Sequence, residues 1–121
     1  MNVHEKLNYV EFPAVNIAAT KAFFNTAFGW TFEDFGPEYT AFSNEGLDGG
    51  FFKSEHRALT STGSALLVFY SDAIEDTLDN VTQAGGTVVK SIFEFPGGCR
   101  FHFTEPSGNE FAVWSDKVPK P

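Results

Sequence analysis

The chain opens on alternation: over residues 6–12, Leu7, Tyr9 and Glu11 fall on one parity and Asn8, Val10 and Phe12 on the other, the period of a strand. At Asn16 the period changes. Ile17, Phe24 and Phe28 then recur at i, i+7 and i+11, and Phe23 and Ala27 widen the stripe, which predicts a helix over 17–28 with one apolar face. Asn16 is placed to cap that helix and Gly29 to end it in the left-handed conformation. Three short strands are predicted next, at 30–35, 38–43 and 49–53. Gly36-Pro37, Asn44-Glu45-Gly46 and Asp48-Gly49 punctuate them.

Residues 54–63 are polar and read as a linker, after which the same order returns. A strand is expected at 64–70. Asp72 with Glu75 forms a candidate capping box for a helix with the stripe Ile74, Leu78, Val81 and Ala84, closed by Gly85-Gly86. Strands fit 87–95, 100–104 and 110–115, with turns at Pro96-Gly97-Gly98 and across 105–109, and a loosely ordered tail at 116–121. Gly29 and Gly85 stand 56 positions apart and Tyr9 matches Leu66 at 57, so the chain is two tandem copies of one strand-helix-strand-strand-strand unit. The expectation is a single α+β domain over 1–121, with module one at about 5–53, the linker at 54–63 and module two at about 64–115. Each copy is too small to bury its own sheet face alone.

Parity assigns the faces. Val10 and Phe12, Leu67 and Phe69, Phe101 and Phe103, Phe111 and Val113 form one strongly apolar set, expected beneath the helices. The opposite set holds Tyr9 and Glu11, then Leu66, Val68 and Tyr70, then Arg100 and His102, then Glu110, Ala112 and Trp114. It mixes aromatic and aliphatic walls with a few ionisable groups, the composition of a small-molecule cleft. Tyr9, Tyr70 and Trp114 are its candidates for stacking on a flat ligand, and Arg100 suits a carboxylate or phosphate. Trp30 is expected in the outer core at the helix end.

Charge and cysteine usage narrow the partners. A formal charge of −8 with eight Lys and Arg spread along the chain disfavours nucleic acid and anionic membrane as partners, since both need clustered cations. No apolar run approaches the roughly 20 residues of a membrane span, and the opening residues lack a signal-peptide order. A cytosolic location is therefore expected. Cys99 stands alone, in keeping with a reducing compartment, and reads as a buried side chain. Gly85-Gly86 and Gly97-Gly98 do not open a helix after a strand, so a phosphate loop is rejected.

The run Asn8-Tyr9-Val10-Glu11-Phe12-Pro13, before a helix ending Ala22-Phe23-Phe24-Asn25-Thr26-Ala27-Phe28-Gly29-Trp30, resembles the opening of glyoxalase and bleomycin-resistance modules of the vicinal oxygen chelate superfamily. The stretch from Phe101 to Phe111, with Glu105-Pro106-Ser107-Gly108-Asn109 at its turn, resembles their last hairpin. The resemblance implies two mixed sheets forming an incomplete barrel around a cleft with helices on the outer face, and a homodimer. It also implies a divalent ion held by His or Glu, at about 2 Å, which polarises substrate oxygens.

Carried onto this chain, three of the ligand positions fall on Tyr9, Leu66 and Ala112. None is a ligand of the usual kind, so no metal or other cofactor is expected. A displaced ion among Glu11, His102 and Glu110 is the alternative; ordinary cleft contacts of both glutamates with Arg100 and tyrosines are the plainer reading. His102 matches the position of an active-site tyrosine in related extradiol dioxygenases, which makes it a candidate general acid or base with Glu11 or Glu110. Three readings follow. The first is metal-independent binding of an aromatic or drug-like molecule, the second a glyoxalase-related lyase or isomerase, and the third a module whose acidic surface binds a protein.

Overall fold

The computed structural model describes residues 2–117; the rest of the expected loose tail lies outside them. Two four-stranded sheets carry the chain. Sheet A is ordered β1-β4-β3-β2 from β1 (Tyr9–Ala14), β2 (Glu33–Asp34), β3 (Tyr39–Glu45) and β4 (Leu47–Lys53). Sheet B repeats that order as β5-β8-β7-β6, from β5 (Leu67–Tyr70), β6 (Thr87–Phe95), β7 (Gly98–Thr104) and β8 (Glu110–Ser115). In each sheet the first strand runs parallel to the last and the rest are antiparallel. The sheets are not closed into a barrel, and helices α1 (Ile17–Phe28) and α2 (Ile74–Gln83) complete the two-module α+β fold.

Helix α1 forms where its pattern places it. The Asn16 side chain accepts from the Ala19 N–H at 3.0 Å. Gly29, at φ 74°, donates to the Asn25 carbonyl while Trp30 donates to Phe24, a Schellman-type ending. Helix α2 starts differently from expectation. Ala73 is its cap residue, and the Ser71 hydroxyl, rather than Asp72, accepts from the Ala73 N–H. Asp72 instead takes hydrogen bonds from Tyr70 and Lys117. Glu75 and Asp76 still place negative charge in the first turn, where the helix dipole favours it.

Several strand limits also move. β1 begins at Tyr9 because its partner β4 is met only from Asp48 onward, and Leu7 is left exposed. Of residues 30–35 only Glu33–Asp34 pair, since the Trp30 and Phe32 rings turn into the core beside Phe42. The Asp48-Gly49 turn does not form: Gly49 and Gly50 lie inside β4, a central strand. A Cβ on Gly49 would collide with the Val10 carbonyl and the Phe42 ring, and one on Gly50 with the Tyr39 hydroxyl. These glycines serve close approach.

One core joins the modules. Phe12, Phe101, Phe103, Phe111 and Val113 are buried beneath the helices as parity predicts. Phe24 of α1 stacks on Trp30 at 4.5 Å and meets Phe51 of sheet A and Phe111 of sheet B, at 5.6 and 5.4 Å. Phe28 stacks on Phe69 of the other module at 4.4 Å, and Phe12 meets Phe111 at 4.9 Å. A buried polar clamp adds to this contact. Glu105 accepts from Thr20 at 2.5 Å, and Asn109 donates to the Pro13 carbonyl at 2.7 Å and accepts from the Ala58 N–H at 2.8 Å. Burial raises the Glu105 carboxyl above the usual range, and hydrogen bonds from Thr20, Ser107 and Asn109 offset only part of that rise.

Candidate functional site

With the helix-side faces of both sheets sharing one core, their other faces point away from it. The residues assigned to the cleft lie on those other faces, Tyr9 and Glu11 on sheet A and the rest on or beside sheet B. On sheet A the pleat sets Tyr9 and Glu11 beside Gly50 and Phe52 of β4 and Tyr39 of β3. Tyr39 donates to Glu11 Oε2 at 2.8 Å, which orients its oxygen to accept from Tyr9 at 2.5 Å. Burial, then the bonds to Tyr9 and Glu11, push the Tyr39 phenol well above its ordinary range. The sequence reading missed Tyr39; the signal was its place opposite Phe52, two strands from Glu11, which depends on register.

On sheet B the pleat aligns Val68 and Tyr70 of β5, Glu110, Ala112 and Trp114 of β8, and Arg100 and His102 of β7. Leu66 lies just before β5 and is half-buried. Tyr70 meets Trp114 edge to face at 5.2 Å. His102 is 3% exposed, and its Nδ1 lies 2.8 Å from Glu110 Oε2. The other carboxylate oxygen accepts from the Thr60 N–H and hydroxyl at 2.9 and 2.8 Å. Glu110 thus fastens a short 3-10 turn of the linker, Thr60–Thr62, over this face. Burial alone would raise its carboxyl, but the bonds from His102 and Thr60 outweigh that and hold it below the usual range.

Arg100 pairs with neither Glu94 nor Glu110 among the described residues. Its guanidinium lies over the rings of Phe93 and Phe95, at 5.5 and 5.9 Å. Phe93 also faces the His102 ring, at 6.1 Å. Among the described residues, Arg100 Nε and His102 Nε2 are the buried side-chain atoms left without a hydrogen-bond partner. His4 and His56 are exposed and Cys99 is buried.

The family's divalent ion does not fit this donor set. Tyr9, Leu66 and Ala112 occupy the expected positions, and among the described residues no three His, Cys, Asp or Glu side chains converge on a point. Glu11 is bonded to Tyr39 while His102 and Glu110 are bonded to each other, so the three do not form one cluster.

A third surface was not anticipated. Between the free edges of β1 and β5 lies a cavity of about 460 Å³. Its walls include Phe12, Leu67, Phe69 and Phe111, of the parity assigned to the core, together with Trp30 and Phe42, and with Val68 and Tyr70 on its β5 side. Glu45 and Gly46 of the β3–β4 hairpin close another side, and partial desolvation against the cavity wall raises the carboxyl of the otherwise exposed Glu45. No helix is long and apolar enough to cross a membrane among the described residues.

Paired βαβββ modules with the last hairpin turned at Glu105-Pro106-Ser107-Gly108-Asn109 define a class of small two-module α+β proteins. Residues 6–113 match the model of the Glyoxalase/Bleomycin resistance protein/Dioxygenase superfamily, and the chain belongs to that family. Solved structures share the fold. A glyoxalase/bleomycin resistance protein/dioxygenase family enzyme from Burkholderia phytofirmans PsJN superposes with a TM-score of 0.75 at 21% identity, over 93% of this chain and 99% of that one. A glyoxalase-related enzyme from Fulvimarina pelagi gives 0.76 at 16%, over 92% and 88%. Lactoylglutathione lyase from Agrobacterium tumefaciens gives 0.70 at 15%, over 92% and 93%. No curated protein matches the chain.

Proposed function

We propose that this protein binds a flat, apolar, drug-like molecule without a metal ion, and that the aromatic cavity between its modules receives it. The observation that carries this reading is the cavity itself. A volume of about 460 Å³ walled mainly by aromatic and aliphatic side chains falls in the range of small-molecule sites, about 300–1,000 Å³. Its ionisable groups, Glu45 and Tyr70, are exposed and fit a polar substituent left near the mouth.

The neutral fluorophore N-phenyl-1-naphthylamine tests it. The expected result is a saturable fluorescence gain that Leu67→Trp, which fills the cavity, weakens at least about tenfold, equivalent to 1.4 kcal/mol. Leu67→Phe is the milder variant should the larger ring unfold the protein. Equal affinity in wild type and variants would remove the cavity from the proposal.

The working form is proposed to be a homodimer, consistent with Tyr9 and Phe52 on sheet A and Val68 and Tyr70 on sheet B, exposed and apolar. A second copy laying the β5 side of its sheet B on sheet A would cover them. A monomer mass in sedimentation equilibrium at micromolar concentration would exclude that pairing.

A further inference from the structure

The two orphaned atoms of sheet B lie on one face of one strand, at i and i+2 of β7. Buried polar atoms in native proteins are almost always partnered, so two left open side by side call for a ligand that supplies both partners. Their chemistry is fixed by their neighbours. Glu110 Oε2 accepts from His102 Nδ1, which leaves Nε2 as the open hydrogen-bonding nitrogen of the ring. Arg100 Nε can only donate, and Phe93 and Phe95 support its guanidinium from below.

Lys90 stands opposite His102 in the β6–β7 register, and its ammonium lies 5.6 Å from the Phe93 ring. In a chain of formal charge −8, two of the eight cations thus gather around one aromatic ring. The carboxylate already present does not compete for them. Both Glu110 oxygens are taken, one by His102 and one by Thr60.

From this we infer that the outward face of β6 and β7 binds a small organic anion that carries a hydroxyl next to its carboxylate. The carboxylate accepts from Arg100 Nε and lies near Lys90, and the hydroxyl, able to donate or accept, hydrogen-bonds His102 Nε2. A planar body stacks toward Phe93. Lys90 is exposed, so its ammonium is free to meet the carboxylate from the solvent side. The site is separate from the inter-module cavity and does not depend on its occupant.

The test uses 2-hydroxybenzoate, with benzoate as the probe that lacks the hydroxyl, followed by titration calorimetry and by the 15N shift of the His102 ring. The expected result is a saturable shift of His102 Nε2 with 2-hydroxybenzoate and at least about tenfold weaker binding of benzoate. Arg100→Met is expected to weaken both probes about tenfold or more. His102→Phe is expected to erase the preference for the hydroxyl while benzoate still binds. Because the ring shift is read in the wild-type protein, the outcome does not depend on a variant folding. An unmoved His102 resonance at tens of millimolar probe, equal affinity for the two probes, or an Arg100→Met protein that binds as wild type would each overturn the site. Leu67→Trp should leave these titrations unchanged, which separates failure here from failure of the cavity.

Discussion

Phe24→Ala is expected to cost the fold about 3–5 kcal/mol, as removal of a fully buried phenylalanine does. Phe24 has no solvent exposure and its ring touches those of Phe23, Phe28, Trp30, Phe51 and Phe111. These come from α1, from both sheets and from the segment after Gly29, so no single element can collapse into the space. Against a total stability of about 5–15 kcal/mol, such a loss brings the protein near its unfolding threshold. Urea denaturation followed by tryptophan fluorescence is the measurement. With a slope of about 2 kcal/mol per molar, the midpoint should fall by about 2 M. A shift of less than about 0.5 M would show that the modules repack independently of this ring.

The second large effect belongs to the clamp. Asn109→Ala removes the donor to the Pro13 carbonyl, the donor to Glu105 Oε2 and the acceptor of the Ala58 N–H. At roughly 1 kcal/mol for each bond whose partner is left buried, the loss is about 3 kcal/mol at neutral pH. The pH dependence separates this from a general packing defect. Burial raises the folded-state pKa of Glu105, so the folded state holds that proton more tightly than the unfolded chain does. Its contribution to stability is complete below the ordinary glutamate range and is lost as pH rises from there through the raised value.

Asn109→Ala withdraws one hydrogen bond that favours the ionised carboxylate, raises that pKa further and deepens the loss. The variant should therefore lie closer to wild type at pH 4 than at pH 7 in matched urea titrations. A constant gap across that interval would contradict the role given to Glu105.

The core face of this protein was readable from parity, because burial on one side of a strand forces apolar residues to every second position. Phe12, Phe101, Phe103, Phe111 and Val113 stand where that rule puts them. The repeat was readable for the same reason, since both helices carry their stripe at matching distance from the first strand. Element limits were less visible. Asp48-Gly49 reads locally as a turn, and only the approach of Val10, Phe42 and Tyr39 from neighbouring strands explains why β4 needs two residues without side chains.

The grouping of side chains across the sheets was the least legible layer. Glu11 was assigned to the same cleft as His102 and Glu110, but it bonds Tyr39 on sheet A while those two bond each other on sheet B, a partition set by how the modules pack. Thr60, in a stretch read as a plain linker, became the group that holds Glu110. The inter-module cavity arises where two apolar faces fail to meet completely, a gap that no single strand records.

The stack of Phe28 on Phe69 and the contact of Phe12 with Phe111 have a consequence for ancestry. Neither half owns a complete interior, so a solitary copy of the repeating unit would leave its rings in water and could persist only by associating with a twin. Gene fusion would then have converted a concentration-dependent partnership into a tethered one, freeing each half to drift toward a different chemistry: phenols on one outward face, an imidazole and a guanidinium on the other.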